Sequence, residues 1–366
     1  MEAAPDGYAW QVRALTVEPG AADSLRVDTV PDPEPGPHEL LVEGLALGVC
    51  GTDREIASGA YGTAPPGRDR LVLGHESLGR VLQAPDGSDF AEGDLVAGIV
   101  RRPDPEPCGA CARGFWDMCR NGRYTERGIK EHDGYGSERW TVPTEYAVAV
   151  EQGLGLAGVL LEPTSVVAKA WEQVDRTGGR SWFEPKRALV TGAGPIGLLA
   201  ALIGVQRGLD VRVLDVVSGG PKSDLVATLG ATYVSDGMAA ATDRWEPDVV
   251  IEATGVGRLI VDAIAATGPY GIVCLTGVSS GGRRIPVDMG SINRELVLEN
   301  DVVVGSVNAN RDHYAAAARA LAAADADWLR RVITRVAPMA DPAQAFARRD
   351  GDIKTVIALA DEVTGW

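Results

Sequence analysis

A cysteine in Cys50-Gly51-Thr52-Asp53, a histidine and an acid in Gly74-His75-Glu76, and a second acid in Glu162-Pro163 offer one thiolate, one imidazole and two carboxylates. These are the donor types that a zinc ion takes when one coordination position must stay open for chemistry. The chain has four histidines, His38, His75, His132 and His313, so one standing 25 residues after Cys50 and beside an acid is informative. Without a metal, the same residues read as a loop histidine, a core thiol and a surface acid.

A second group of donors lies in Cys108-x2-Cys111-x7-Cys119. Three thiolates in one short lobe suit a closed structural zinc site, which needs a fourth ligand. Asp104 and Glu106 are the neighbouring candidates, and Asp104 is the expected one. With no disulfide framework evident and an odd total of five cysteines, metal is the expected use of these thiols.

A hydride acceptor is implied further on. Gly192-Ala193-Gly194-Pro195-Ile196-Gly197 is a G-x-G-x-x-G that follows an expected strand and opens an expected helix. Gly192 permits the tight turn, Gly194 lets a pyrophosphate approach the backbone, and Gly197 lets helix and strand pack closely. The helix that starts at Pro195 and Ile196 offers its free N–H donors to the phosphates, Pro195 itself having none. Asp215 ends the next strand, 18 residues after Gly197, where an acid bonds the adenine ribose hydroxyls. NAD is therefore expected over NADP, with Lys222 the nearest downstream cation that could soften the preference.

These groups need a scaffold, and 366 residues exceed what one hydrophobic core usually supports. An apolar content of 45% and a charged content of 23% are ordinary globular values. A formal charge of −16 argues against nucleic acid and acidic membranes as partners, since both require a basic face. Met1–Trp10 lacks the apolar segment of a secretory signal, so a cytoplasmic protein is expected. Ala188–Gln206 is apolar and uncharged; the three glycines and proline at its centre suit strand-turn-helix rather than a membrane span.

The first half reads as β-rich, with short runs at Gln11–Thr16, Glu39–Leu47, Ser77–Gln83 and Asp94–Val100 between Pro- and Gly-rich turns. Arg101–Gly136 is a long excursion that something must pin. From about residue 161, helices and strands alternate, which implies βαβ units and a parallel sheet. The expected fold is α/β: a β-rich domain from residues 1–160 and 309–366, and a doubly wound dinucleotide-binding domain from 161–308.

Taken together, Gly48-Val49-Cys50-Gly51-Thr52-Asp53-Arg54-Glu55, Leu71-Val72-Leu73-Gly74-His75-Glu76, Tyr124–Lys130, Leu161-Glu162-Pro163 and the loop glycines resemble the zinc-dependent medium-chain dehydrogenase/reductase superfamily. Within it, the pattern is most similar to the glucose 1-dehydrogenase branch. The resemblance spans essentially the whole chain. It implies a GroES-like catalytic domain with an inserted Rossmann domain, and a dimer or tetramer. By position it implies a catalytic zinc on Cys50, His75 and Glu76, with Glu162 touching both metal and sugar. Thr52 would pass the substrate proton outward, and Glu126 and Asn308 would contact sugar hydroxyls. The chain departs from the branch at Pro105, where the lobe's first cysteine is missing, and at Val166, where an acid often stands.

The chemistry expected is oxidation of a sugar hydroxyl, with glucose going to its lactone. The rival within the class is another polyol, cyclitol or aminocyclitol. The rival outside it is a catalytically silent dinucleotide-binding protein.

Overall fold

The computed structural model describes residues 11–279, 281 and 284–363, so the amino-terminal segment read for a signal lies outside the described residues. The chain divides into two compact units, one running to Glu162 and resuming at Ala309, the other Pro163–Asn308. The first boundary falls two residues later than expected, which keeps Glu162 on the unit that carries Cys50, His75 and Glu76.

The first unit is built on a seven-stranded sheet. Along it lie Ala147–Val150, Leu95–Gly98, Glu76–Gln83, Glu39–Val49, Lys354–Ala358 and Ile333–Pro338, with Arg139–Pro143 also pairing with Glu39–Val49. Glu39–Val49 is the pivot. It alternates buried and partly buried positions and then becomes fully buried from Gly44 neighbours onward to Val49 because strands flank it on both sides. Leu15, Leu47, Val49, Ala337 and Ile357 pack one core against it, and a second core gathers Ile56, Leu71, Leu73, Val100 and Ile129. Smaller three-stranded sheets are formed by Arg26–Pro31, Gln11–Val17 and Leu71–Val72, and by Arg101–Arg102, Thr125–Arg127 and Glu131–His132. The last of these organises the long excursion, which sequence reading left without elements.

The second unit is a six-stranded, all-parallel sheet in the order Thr232–Val234, Asp210–Leu214, Arg187–Thr191, Val249–Glu252, Ile272–Leu275, Val302–Gly305. Counting strands along the chain, this order is 3-2-1-4-5-6, in which a dinucleotide binds where the order reverses. The run expected as strand-turn-helix is Arg187–Thr191 followed by the helix Pro195–Gln206, whose proline occupies the first turn, where its missing N–H costs nothing. Among the described residues, no helix is long and apolar enough to cross a membrane. A helix at Met289–Glu299, capped by the Asp288 carboxylate, was not expected, because its apolar positions are sparse and largely exposed.

Candidate active site

Cys50 caps the helix Gly51–Ala57, and the Asp53 carboxylate reaches back to accept the Cys50 backbone N–H at 2.9 Å. This reciprocal cap fixes where the thiol points. The Cys50 Sγ lies 3.1 Å from His75 Nε2, and His75 Nδ1 faces Asp53 Oδ1 at 3.4 Å. One acid thus orients both the cysteine's backbone and the imidazole's far nitrogen, the arrangement that sets a ligating histidine's tautomer and ring plane. Sequence reading did not assign Asp53 a role; its place three residues after Cys50 was the available signal.

Gly74 adopts φ +102°, and a Cβ there would fall 2.5 Å from Leu47 Cδ1, so only glycine turns the chain to present His75. Glu76 opens the strand Glu76–Gln83 directly opposite Gly48. A side chain at Gly48 would collide with it, since a Cβ would lie 2.1 Å from Glu76 Oε2. The space holds Lys354 instead: its buried ammonium is ion-paired with Glu76 Oε2 and donates to the Val49 carbonyl at 3.3 Å. Lys354 comes from the last strand of the unit, and nothing in its sequence neighbourhood marked it.

Ligand atoms of Cys50, His75 and Glu76 lie within 4.8 Å of one another, so these three donors fit a zinc ion by type and by spacing. Glu162, on the first turn of the helix Leu161–Gly178, is not one of that three. It is close enough to feel them. Burial lifts its carboxyl to about 7, with Glu76 and Asp53 adding to the rise and His75 and Lys354 opposing it. Burial also raises the Cys50 thiol, reinforced by Asp53. At His75 burial works the other way, but Asp53 and Cys50 outweigh it and hold the imidazole well above its ordinary value. Thr52 stands on the first turn of the Cys50-capped helix and is partly buried.

Glu126 occupies the short strand Thr125–Arg127, opposite Arg101. Both side chains are buried, and Arg101 binds Glu126 Oε1 through Nε at 3.1 Å and Nη2 at 2.9 Å. Asn308 belongs to the other unit, where it takes a left-handed φ of +62°.

The thiol atoms of Cys108, Cys111 and Cys119 also lie within 4.8 Å of one another. Cys108 Sγ is 3.6 Å from Cys111 Sγ and accepts the Arg120 N–H at 3.4 Å. Backbone amides lower the Cys108 thiol, and burial raises that of Cys111. The three thiols fit a thiophilic ion. The structure does not bring Asp104 into this group: its Oδ1 accepts the Glu106 N–H at 2.8 Å and its Oδ2 faces Arg123 Nε at 3.3 Å. A neighbouring guanidinium competes for the carboxylate that was expected to complete the lobe.

In the dinucleotide loop, Gly192 has φ +93°, and a Cβ at Gly197 would lie 1.7 Å from the Gly192 carbonyl oxygen. Gly194 caps the helix Pro195–Gln206 and has open space where a side chain would stand. Asp215 is held by three bonds: Oδ2 accepts the Ala193 N–H at 2.7 Å and pairs with Lys222 Nζ at 3.0 Å, and Oδ1 accepts the Val217 N–H at 3.1 Å. Against the effect of burial, these donors lower its pKa. Lys222, met in the sequence only as a nearby cation, is thus in direct contact with Asp215.

Two family models cover most of the chain: one described as the alcohol dehydrogenase GroES-like domain over residues 36–152, and one described as the glucose dehydrogenase C-terminus over 155–359. The chain is 39% identical to a glucose 1-dehydrogenase of Methanocella arvoryzae, covering 95% of this chain and 99% of the relative. It is also 39% identical to one from Thermoproteus tenax, with the same two coverages. A solved structure of Haloferax mediterranei glucose dehydrogenase, in complex with NADP, zinc and gluconolactone, superposes with a TM-score of 0.87 at 35% identity, covering 95% of this chain and 99% of that one. With each half matched and relatives aligned nearly end to end, the chain belongs to the glucose dehydrogenase branch of the zinc-dependent medium-chain dehydrogenase/reductase superfamily.

Proposed function

We propose that this protein is a zinc-dependent glucose 1-dehydrogenase, taking the C1 hydroxyl of glucose to the lactone with a nicotinamide dinucleotide as hydride acceptor. The observation that carries this reading is the Cys50, His75 and Glu76 cluster with Glu162 beside it, in a chain that belongs to this branch. A zinc ion held there supplies a Lewis acid that lowers the pKa of a bound hydroxyl. The rest falls to the protein. Asp53 fixes the thiol and the imidazole, and Lys354 holds one oxygen of Glu76. Glu162, with its raised pKa, and the Thr52 hydroxyl hold and pass the substrate proton, and Glu126 and Asn308 orient ring hydroxyls. Gly192, Gly194 and Gly197 shape the loop that receives the pyrophosphate at the start of Pro195–Gln206.

NAD is the favoured cofactor in this reading, since Asp215 presents a carboxylate to the ribose. Lys222 at 3.0 Å partly neutralises it and gives NADP a cation for its extra phosphate. A second zinc on Cys108, Cys111 and Cys119 pins the excursion. None of the five cysteines is in a disulfide, which fits a cytoplasmic protein. A homo-oligomer, dimer or tetramer, completes the reading.

Val166, partly buried on the helix that begins with Glu162, supports the rival reading of another polyol or cyclitol. Initial rates of zinc-loaded enzyme with NAD and NADP against glucose, other aldoses and cyclitols decide between them. Oxidation of glucose above the rest supports the proposal. An enzyme inert to glucose but active on a cyclitol replaces it.

A further inference from the structure

The guanidinium of Arg101 is buried, and its hydrogen bonds run to two places. Nε and Nη2 both bind Glu126 Oε1, and Nη1 donates to the Asp117 carbonyl at 3.1 Å. Asp117 lies in the short helical turn Trp116–Met118, between Cys111 and Cys119, and is itself buried. One side chain therefore spans from the cysteine lobe to the acid that the functional reading places against the sugar. The planar fork of an arginine suits this, because its donors are rigidly related and cannot adjust one bond without moving the others. The Tyr124 ring steadies the plane: the Arg101 guanidinium carbon lies 3.7 Å from its centroid, and Lys130 Nζ lies 4.3 Å from it.

We propose that Arg101 is a positioning residue for Glu126, and that through it the cysteine lobe sets the enzyme's affinity for its sugar. This rests on the reading of Glu126 as a sugar contact. When Cys108, Cys111 and Cys119 are drawn together on an ion, the chain between Cys111 and Cys119 has a fixed course, and the Asp117 carbonyl with it. Arg101 is then anchored at that end and holds Glu126 by one oxygen at the other. When the lobe loosens, Arg101 loses its anchor, and a buried carboxylate held by a mobile cation no longer meets a hydroxyl at hydrogen-bonding geometry. Since Glu126 is buried and paired, small displacements are not repaired by water. The lobe thus acts on substrate binding, and every residue of this link belongs to the unit that does not carry the glycine loop.

The test uses the full-length enzyme with two sugar probes. One is glucose, followed as KM and kcat; the other is 1,5-anhydroglucitol, a ring without the C1 hydroxyl, followed as Kd by calorimetry. NAD Kd is the control. Arg101→Lys keeps a positive charge beside Glu126 but cannot span both anchors, so ring binding weakens on the order of tenfold with NAD Kd unchanged. Cys119→Ser, with loss of lobe metal verified by elemental analysis, weakens ring binding in the same sense. Adding Arg101→Lys to Glu126→Gln gives no further loss, because the two act through one contact. Arg101→Met goes further in the same direction if it folds, and the lysine and serine variants carry the test if it does not. Unchanged ring affinity in Arg101→Lys, or ring and NAD affinity falling together, overturns the proposal. Unchanged ring affinity in zinc-depleted Cys119→Ser overturns the role of the lobe. If Glu126→Gln itself leaves ring binding intact, the sugar reading of Glu126 is what has failed.

Discussion

Lys354 and Glu76 form an ion pair inside the protein, with side chains only 1% and 3% exposed, and Glu76 clusters with Cys50 and His75 in a donor group that fits a zinc ion. Removing one partner of such a pair leaves an uncompensated buried charge, which costs about 3–5 kcal/mol. Lys354→Met should therefore lower the melting temperature of the metal-stripped enzyme strongly. The loss should be smaller in the zinc-loaded enzyme, because the ion takes over the neutralisation of Glu76. Thermal unfolding of both forms checks this; equal losses would show that Lys354 serves only packing.

Cys50→Ser removes the thiolate while leaving a donor of similar size. Turnover should fall to about a hundredth or less, with NAD affinity retained, since the dinucleotide loop lies in the other unit. Steady-state rates alongside NAD titration provide the measurement. Near-normal turnover would remove the catalytic metal from the mechanism.

Cofactor choice should respond to the Asp215–Lys222 pair. Lys222→Ala should raise the KM for NADP relative to NAD by about tenfold, since a cation facing a phosphate is lost. Asp215→Ala should shift the ratio the other way by weakening the ribose contact. A Lys222 variant whose KM ratio matches the wild type would assign the choice to other residues.

Acid sensitivity has an identifiable contributor in His132. Burial, with Arg127 and Arg102 adding like charge, holds its pKa at about 3, so in the folded protein it stays neutral far below its ordinary range. The unfolded chain takes up this proton from about pH 6.5 downward. Because the folded pKa is the depressed one, the folded state is at no disadvantage above pH 6.5. It loses stability as pH falls from there toward 3, with a slope approaching about 1.4 kcal/mol per pH unit. His132→Gln should flatten the stability profile in that window, as measured by urea unfolding between pH 7 and 4.5. An unaltered slope would assign the acid sensitivity to other groups.

The glycine loop and its strand and helix were legible because everything that defines them lies within about twenty residues, and local chemistry dictates local shape. Cys50, His75 and Glu76 were legible for a related reason: few side-chain types bind zinc, and the turns presenting them carry obligatory glycines such as Gly74. Lys354 was not, because its partners stand some three hundred positions earlier and meet it only through strand pairing. Glu126 was singled out by the resemblance, but its link to Arg101 was not legible until the excursion's small sheet set them opposite each other. Asp104 was chosen by proximity in sequence, and Arg123, a residue with no motif to mark it, turned out to share its carboxylate.

Gly48 faces Glu76 in one neighbouring strand and Val356 in the other, so the pivot strand is closed on one side by an element that follows it closely in sequence and on the other by one some three hundred positions later. During synthesis, Cys50, His75 and Glu76 leave the ribosome long before Lys354 exists to balance them. The first unit can gather its donors early, but it cannot seal them until the strand Lys354–Ala358 has been made. Disrupting the strand Lys354–Ala358 would undo a centre whose donors Cys50, His75 and Glu76 stand some three hundred positions earlier.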